Sequence, residues 1–263
     1  MVAHASASGF FPATTARAQP FVSAAPVTVL VTGFGPFPGA PFNPTADVVR
    51  RLARSRRPEV ADVRVVTHVF RTSYAAVDAE LPRLLGEHRP DAVVMLGLAS
   101  RARWLRVETC ARNMRSRLLP DVAGEAATSA RIRLGAPPTF RGRAPFARLA
   151  ALTRRAGLPV RLSHNAGRYL CNYAYWRLLE GGNEEPLPLA VFIHVPRVPR
   201  GAIPLRRSRA HAMALEDLLK AAERMVVAMG ASARQARPSR FGTPRSARFL
   251  NSADRSSLRE LAP

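Results

Sequence analysis

A chain of 263 residues with 47% hydrophobic content can bury a substantial core, and one large domain is the natural expectation. The formal net charge is +22, nearly all of it arginine since Lys220 is the only lysine, but the arginines are scattered rather than clustered beside aromatics, which argues against a nucleic-acid-binding module. Two cysteines, Cys110 and Cys171, make no disulfide framework, and no apolar run approaches the ~20 residues of a membrane helix, so the expectation is a cytoplasmic protein without a membrane partner.

Residues 1–26 are rich in Ala, Ser, Thr and Pro without periodicity, which predicts a disordered N-terminal extension. They lack the charged and continuous apolar regions of a signal peptide. Order is expected to begin at Val27-Thr28-Val29-Leu30-Val31-Thr32, a β-branched run that suits a buried strand. A loop stiffened by prolines follows, Gly33-Phe34-Gly35-Pro36-Phe37-Pro38-Gly39. Asn43-Pro44-Thr45 then opens a helix, with Asn as N-cap and Pro in the first turn. The loop lacks the G-x-G-x-x-G spacing, and its prolines remove N–H groups a phosphate would need, so a dinucleotide site is rejected. Two phenylalanines there suit a small, flat, uncharged ligand instead.

A second strand is predicted over Val63 to Phe70 and a helix over Ser73 to His88, with Pro82 implying a kink or a displaced start. Asp91 to Gly97 reads as another buried strand. Residues 116–142 show little periodicity and several Pro and Gly, the pattern of a long functional loop. Pro145 to Ala156 is a predicted helix and Pro159 to Ser163 a short strand. A helix carrying Cys171 should run to Glu180 and stop at Gly181-Gly182. Leu187 to Ile193 is a further strand, and Ser208 to Met229 a long helix. The alternation indicates an α/β fold. From Ala231 onward seven Arg stand against one Asp and one Glu, a basic tail beyond a domain expected at 27–230.

Three residues stand out chemically. Cys171 is placed in the first turn of its helix, where free N–H groups and the partial positive charge favour an anionic sulfur and can stabilise an oxyanion. The competing reading is a buried small hydrophobe. His194 follows an apolar strand run, at the strand end where α/β sheets bind ligands, and can serve as acid and base; His68 and His164 are its rivals. Glu108, a lone acid among arginines, either orients that imidazole or forms an ion pair with Arg103, Arg106 or Arg112.

Four blocks in one order carry a resemblance. They are Thr32-Gly33-Phe34-x-Pro36-Phe37 with Asn43-Pro44-Thr45; Gly97-x-Ala99 with Val107-Glu108-x-x-Ala111-x-Asn113; Asn165-Ala166-Gly167-x-Tyr169-Leu170-Cys171-Asn172; and Phe192-Ile193-His194-Val195-Pro196-x-Val198-Pro199. Together they resemble the pyroglutamyl peptidase, or pyrrolidone-carboxylate peptidase, family over roughly residues 27–200. The resemblance implies a three-layer α/β/α sandwich around a mixed, mostly parallel sheet. It further implies a cysteine exopeptidase that removes an N-terminal 5-oxoproline, with a Glu108–Cys171–His194 triad. Phe34, Phe37, Asn43, Leu98 and Leu170 are assigned to the substrate pocket. Backbone N–H groups of Gly167 and Cys171 are assigned to the oxyanion, and no metal or cofactor is implied. Cys110 is expected to have no catalytic part, and a homo-oligomer, dimer or tetramer, is compatible with this reading. The chain departs from the family at Leu98, often Gln, and at Ser100-Arg101-Ala102-Arg103, often Gly-Gly-Arg. Two alternatives stand beside it: a cysteine amidohydrolase acting on another cyclic or acylated substrate, and an inactive protein of this fold that binds polyanions.

Overall fold

The computed structural model describes residues 26–55, 63–181, 188–199 and 213–237. The first strand, β1 (Val27–Phe34), is buried along its whole length. Its side chains divide between two cores with a period of two: Val27, Val29 and Val31 belong to one, Leu30 and Phe34 to the other. That division explains why the run is apolar throughout rather than alternating.

Around β1 the sheet has the order β2 (Val63–Phe70), β1, β3 (Ala92–Leu98), β8 (Leu189–Val195), β4 (Leu105–Glu108), β7 (Val160–Ser163). Every neighbouring pair is parallel except β4 with β8, which is antiparallel. Helices α1 (Pro44–Leu52), α3 (Phe146–Arg155) and α5 (Leu215–Ala236) cover one face. Helices α2 (Tyr74–His88) and α4 (Leu170–Glu180) cover the other with Leu81, Tyr175 and Trp176. The fold is therefore a three-layer α/β/α sandwich on a mixed, mostly parallel sheet, as expected.

Several expectations on element limits change. Helix α2 begins directly after the Ser73 N-cap, whose hydroxyl accepts from Ala76 N–H at 3.2 Å, and it runs through Pro82 without a displaced start. The strand expected at 187–193 is β8, extending to Val195, because hydrogen-bonded partners on both sides keep it straight. His194 thus lies within the strand and not after it; Leu187 itself is outside the described residues.

Among the described residues the last helix starts at Leu215, where the Asp217 carboxylate accepts from Ala214 N–H at 2.9 Å. Residues 208–212 are outside the described residues. Its end at Ala236 carries it past the boundary expected at 230. The physical reason is that Ala228, Met229 and Ala233 stay on the buried face, and Arg237 closes on Asp91 at 2.7 Å. The expected extension over 1–25 and the basic tail beyond 237 lie outside the described residues.

The long loop predicted at 116–142 is largely that, with one strand in it: β6 (Thr139–Arg141) pairs antiparallel with β5 (Cys110–Arg112). One asparagine and one aspartate substitute for regular pairing. Asn113 accepts from Ile132 and Arg133 N–H and donates to the carbonyls of Arg133 and Ala136. Asp121 accepts from Tyr74, Ala123 and Glu125 N–H at 2.8–3.0 Å, which pins the loop to the start of α2.

Candidate active site

Cys171 is the second residue of α4, as its sequence position predicts. The N-cap residue Tyr169 is extended and offers no side-chain cap. The first-turn N–H groups, which have no partner inside the helix, therefore remain available to an anion. Gly167 lies just before, with φ +87°, a left-handed conformation that disfavours any side chain. Its N–H donates to Asn165 Oδ1 at 3.1 Å. Among the two N–H groups assigned to the oxyanion, the Cys171 N–H is the one without a side-chain acceptor among the described residues. Asn172 fixes the helix start: its amide accepts from Arg112 N–H and donates to the Arg112 and Met114 carbonyls, each at 2.8 Å.

Strand pairing brings the other two residues to the thiol. His194 on β8 is in register with Gly97 on β3 and with Arg106 on β4. Its Nδ1 is 2.9 Å from Glu108 Oε1, and Glu108 is fully buried. Among the described residues Glu108 is paired with His194 and with none of Arg103, Arg106 or Arg112. Burial pushes the Glu108 carboxyl up, but the hydrogen bond and charge of His194, together with the Arg106 charge, hold it below the usual value. Burial works against a charged imidazole, yet the hydrogen bond and charge of Cys171, and then those of Glu108, push the His194 pKa up to about 9. A histidine favoured in its charged form, between a cysteine and a buried carboxylate, is the kind of perturbed group that marks a candidate functional site.

The rivals are occupied elsewhere. His68 Nε2 meets Glu80 Oε2 at 2.6 Å, and His164 Nδ1 meets Thr109 Oγ1 at 2.5 Å. The Cys110 thiol points to the His164 carbonyl at 3.3 Å, and burial pushes its pKa up.

A cleft of about 270 Å³ opens over Cys171 and His194, bordered by Phe34, Phe37, Asn43, Leu98, Leu170 and Tyr169. All five residues assigned to the substrate pocket are there. The Phe37 ring faces Tyr169 at 5.9 Å and Phe34 faces Phe70 at 5.6 Å, so the walls are aromatic and apolar. Asn43 also anchors the loop that carries Phe34 and Phe37. Its amide is committed to Thr45 N–H, Thr45 Oγ1 and the Gly35 carbonyl, which holds the Phe34–Phe37 loop in shape. A larger cavity of about 690 Å³, lined by Arg133, Phe140 and Leu178, contains none of the three candidate catalytic residues. Among the described residues no three His, Cys, Asp or Glu gather to hold a metal.

This constellation can be set beside known proteins. The profile of the family described as pyroglutamyl peptidase matches residues 27–234. The chain belongs to the pyroglutamyl peptidase family. It is 34% identical over 199 residues to the pyrrolidone-carboxylate peptidase of Thermococcus onnurineus, covering 74% of this chain and 94% of that one. It is 33% identical over 175 residues to the pyrrolidone-carboxylate peptidase of Gloeobacter violaceus, covering 66% and 84%. Among solved structures, the pyrrolidone carboxyl peptidase of Thermococcus litoralis superposes with a TM-score of 0.70 at 31% identity, covering 83% of this chain and 99% of that one. Pyroglutamyl peptidase I of Bacillus amyloliquefaciens gives 0.68 at 27%, covering 79% and 98%.

In this pyroglutamyl peptidase family member, Gly97 has a role that its place in a motif did not reveal. A Cβ there would lie 2.8 Å from Cys171 Sγ and 2.6 Å from Phe192 Cζ. The strand must be bare at that point for the thiol to sit beside His194. Gly97→Ala is expected to lower kcat/KM by about 10²-fold, the scale of a displacement of about 1 Å in a reacting group. Overpacking should also cost roughly 1–3 kcal/mol of stability. Steady-state kinetics and thermal unfolding check both, and wild-type kcat/KM would refute the close-approach account.

Proposed function

We propose that the chain hydrolyses the amide bond that follows an N-terminal pyroglutamate, with Cys171 as nucleophile, His194 as acid and base, and Glu108 orienting the imidazole. The observation that carries this is the 2.9 Å Glu108–His194 bond beneath a cleft whose lining residues include no Asp or Glu. A peptide with a free α-amine would leave its ammonium unanswered there. A neutral lactam ring fits apolar walls with a few backbone hydrogen bonds.

The thiolate of Cys171 attacks the carbonyl carbon of the 5-oxoproline residue. The resulting oxyanion is held by the Cys171 N–H at the start of α4. The imidazolium of His194 gives its proton to the departing amine as the C–N bond breaks, leaving a thioester. Acylation removes the negative charge on sulfur, so the influence that most favours the charged imidazole disappears while burial still opposes it. His194 is then a neutral base able to deprotonate the attacking water, and thioester hydrolysis returns the thiolate–imidazolium pair. None of these steps uses a metal or cofactor. A nucleophile that must stay reduced suits the cytoplasm.

Hydrolysis of a pyroglutamyl-aminocoumarin amide, with the open-chain glutaminyl amide as control, tests the reading. Release of fluorophore from the cyclic substrate alone, abolished by iodoacetamide, is expected. Cleavage that survives full alkylation of the thiols, or no cleavage of the cyclic amide, would overturn it.

A further inference from the structure

Three guanidinium-bearing residues border the cleft: Arg101 in the turn after β3, Arg106 on β4 and Arg168 in the turn before α4. Some arginines outside the cleft are neutralised by a carboxylate: Arg133 pairs with Glu180 at 2.8 Å, Arg83 with Glu87 at 2.9 Å and Arg237 with Asp91 at 2.7 Å. Among the described residues, Arg101, Arg106 and Arg168 have no such partner within 4.0 Å. No Asp or Glu lines the cleft, and Glu108 beneath it is bound to His194. The mouth is therefore a concave surface of one sign, and such a surface attracts the opposite charge and orients it.

The 5-oxoproline ring is neutral, and the apolar walls of Phe34, Phe37, Leu98 and Leu170 suit it. A group of opposite charge beyond the scissile bond complements these cations. Guanidinium matches carboxylate in both charge and planar geometry. We infer that this site selects pyroglutamyl peptides bearing a carboxylate close after the pyroglutamate, held by Arg101 and Arg168 with Arg106 adding to the field. The inference rests on the proposed function and deepens it by naming the substrate class. The carboxylate can come from an acidic side chain in the next residue or from the C-terminus of a dipeptide.

The test compares kcat/KM at low ionic strength for four peptides: amide-capped pyroglutamyl-Glu-Ala, pyroglutamyl-Ala-Ala and pyroglutamyl-Lys-Ala, and uncapped pyroglutamyl-Ala. A carboxylate should raise kcat/KM about tenfold over the neutral Ala-Ala peptide, and the Lys peptide should fall below it. The advantage should shrink severalfold near 1 M salt, where the Debye length is about 3 Å. It should also shrink in the exposed-site double variant Arg101→Gln/Arg168→Gln. An advantage confined to the Glu peptide assigns the side chain as source, and one confined to the uncapped dipeptide assigns the terminus. Cleavage of the neutral peptide with no advantage for either carboxylate overturns the inference and leaves the proposed function standing. An advantage that persists in the double variant overturns the role of these two arginines. No cleavage of any of the four peptides overturns the proposed function, and the inference with it.

Discussion

Replacing Cys171 with alanine should reduce hydrolysis of a pyroglutamyl amide by about 10⁴-fold or more while leaving a folded protein, since loss of a nucleophile typically costs several orders of magnitude. The change is small in volume, and the anchors of the helix start do not involve sulfur. Leu170 is buried beside it, and the Asn172 amide makes its bonds to Arg112 and Met114 whether or not a thiol is present. A thermal unfolding midpoint close to wild type is therefore expected. The variant has a second readout: without the sulfur, the first of the influences that raise the His194 pKa is gone, so its NMR titration should move down from about 9. Substantial turnover in Cys171→Ala would remove Cys171 from the mechanism. An unmoved imidazole titration would show that thiol and imidazole are not coupled.

The second large effect concerns His194. His194→Ala should lower kcat/KM by about 10³-fold or more, the upper range for removing a general acid and base. Folding is less secure in this variant. Glu108 Oε2 already has no hydrogen-bond partner, and loss of the imidazole would leave Oε1 without its partner as well. Leaving a buried charge unpaired costs about 3–5 kcal/mol, so the midpoint should drop markedly. Glu108→Gln supplies the gentler comparison. It keeps the volume and removes the charge, so activity should fall by about 10–100-fold.

The pH dependence carries a definite sign. His194 has a folded pKa raised from 6.5 to about 9, so its contribution to stability is complete below about pH 6.5 and is lost as pH rises through about 9. Glu108 is depressed below its ordinary 4.5, so its contribution is present above that pH and is lost as pH falls through the lower folded value. Activity should decline on a basic limb near pH 9 as the imidazolium loses its proton, and Glu108→Gln should move that limb downward. A limb that stays in place in Glu108→Gln would argue that Glu108 has no part in holding the charged imidazole.

Much of the layering is local information. The β-branched run at 27–32, the Asn43-Pro44 start of α1, and the Gly181 stop of α4 each follow from backbone preference and burial of neighbours in sequence. The same holds for Cys171 in a first turn, because small residues and the apolar run after them indicate a helix start. Element limits were harder where tertiary contacts decide them. Helix α5 outlasts its expected end through packing of Ala233 and the Arg237–Asp91 pair, a contact across 146 residues.

The catalytic assignment shows the same division more sharply. By itself the sequence determined the α/β class, the helix that carries Cys171, and the four ordered blocks that resemble a peptidase family. It also left three histidines and two meanings for Glu108. The contacts that separate them appear only in the tertiary structure. It inserted β4 antiparallel beside β8, bringing Glu108 to His194 across 86 residues, and gave His68 and His164 partners of their own. It also showed that Gly167 N–H donates to Asn165, that Gly97 is bare beneath the thiol, and that three arginines without carboxylate partners share one cleft. The reason is physical. Local patterns specify backbone conformation and which face is buried, whereas hydrogen bonds, close approaches and summed charge depend on the register between strands distant in sequence, and that register is set only when the whole sheet packs.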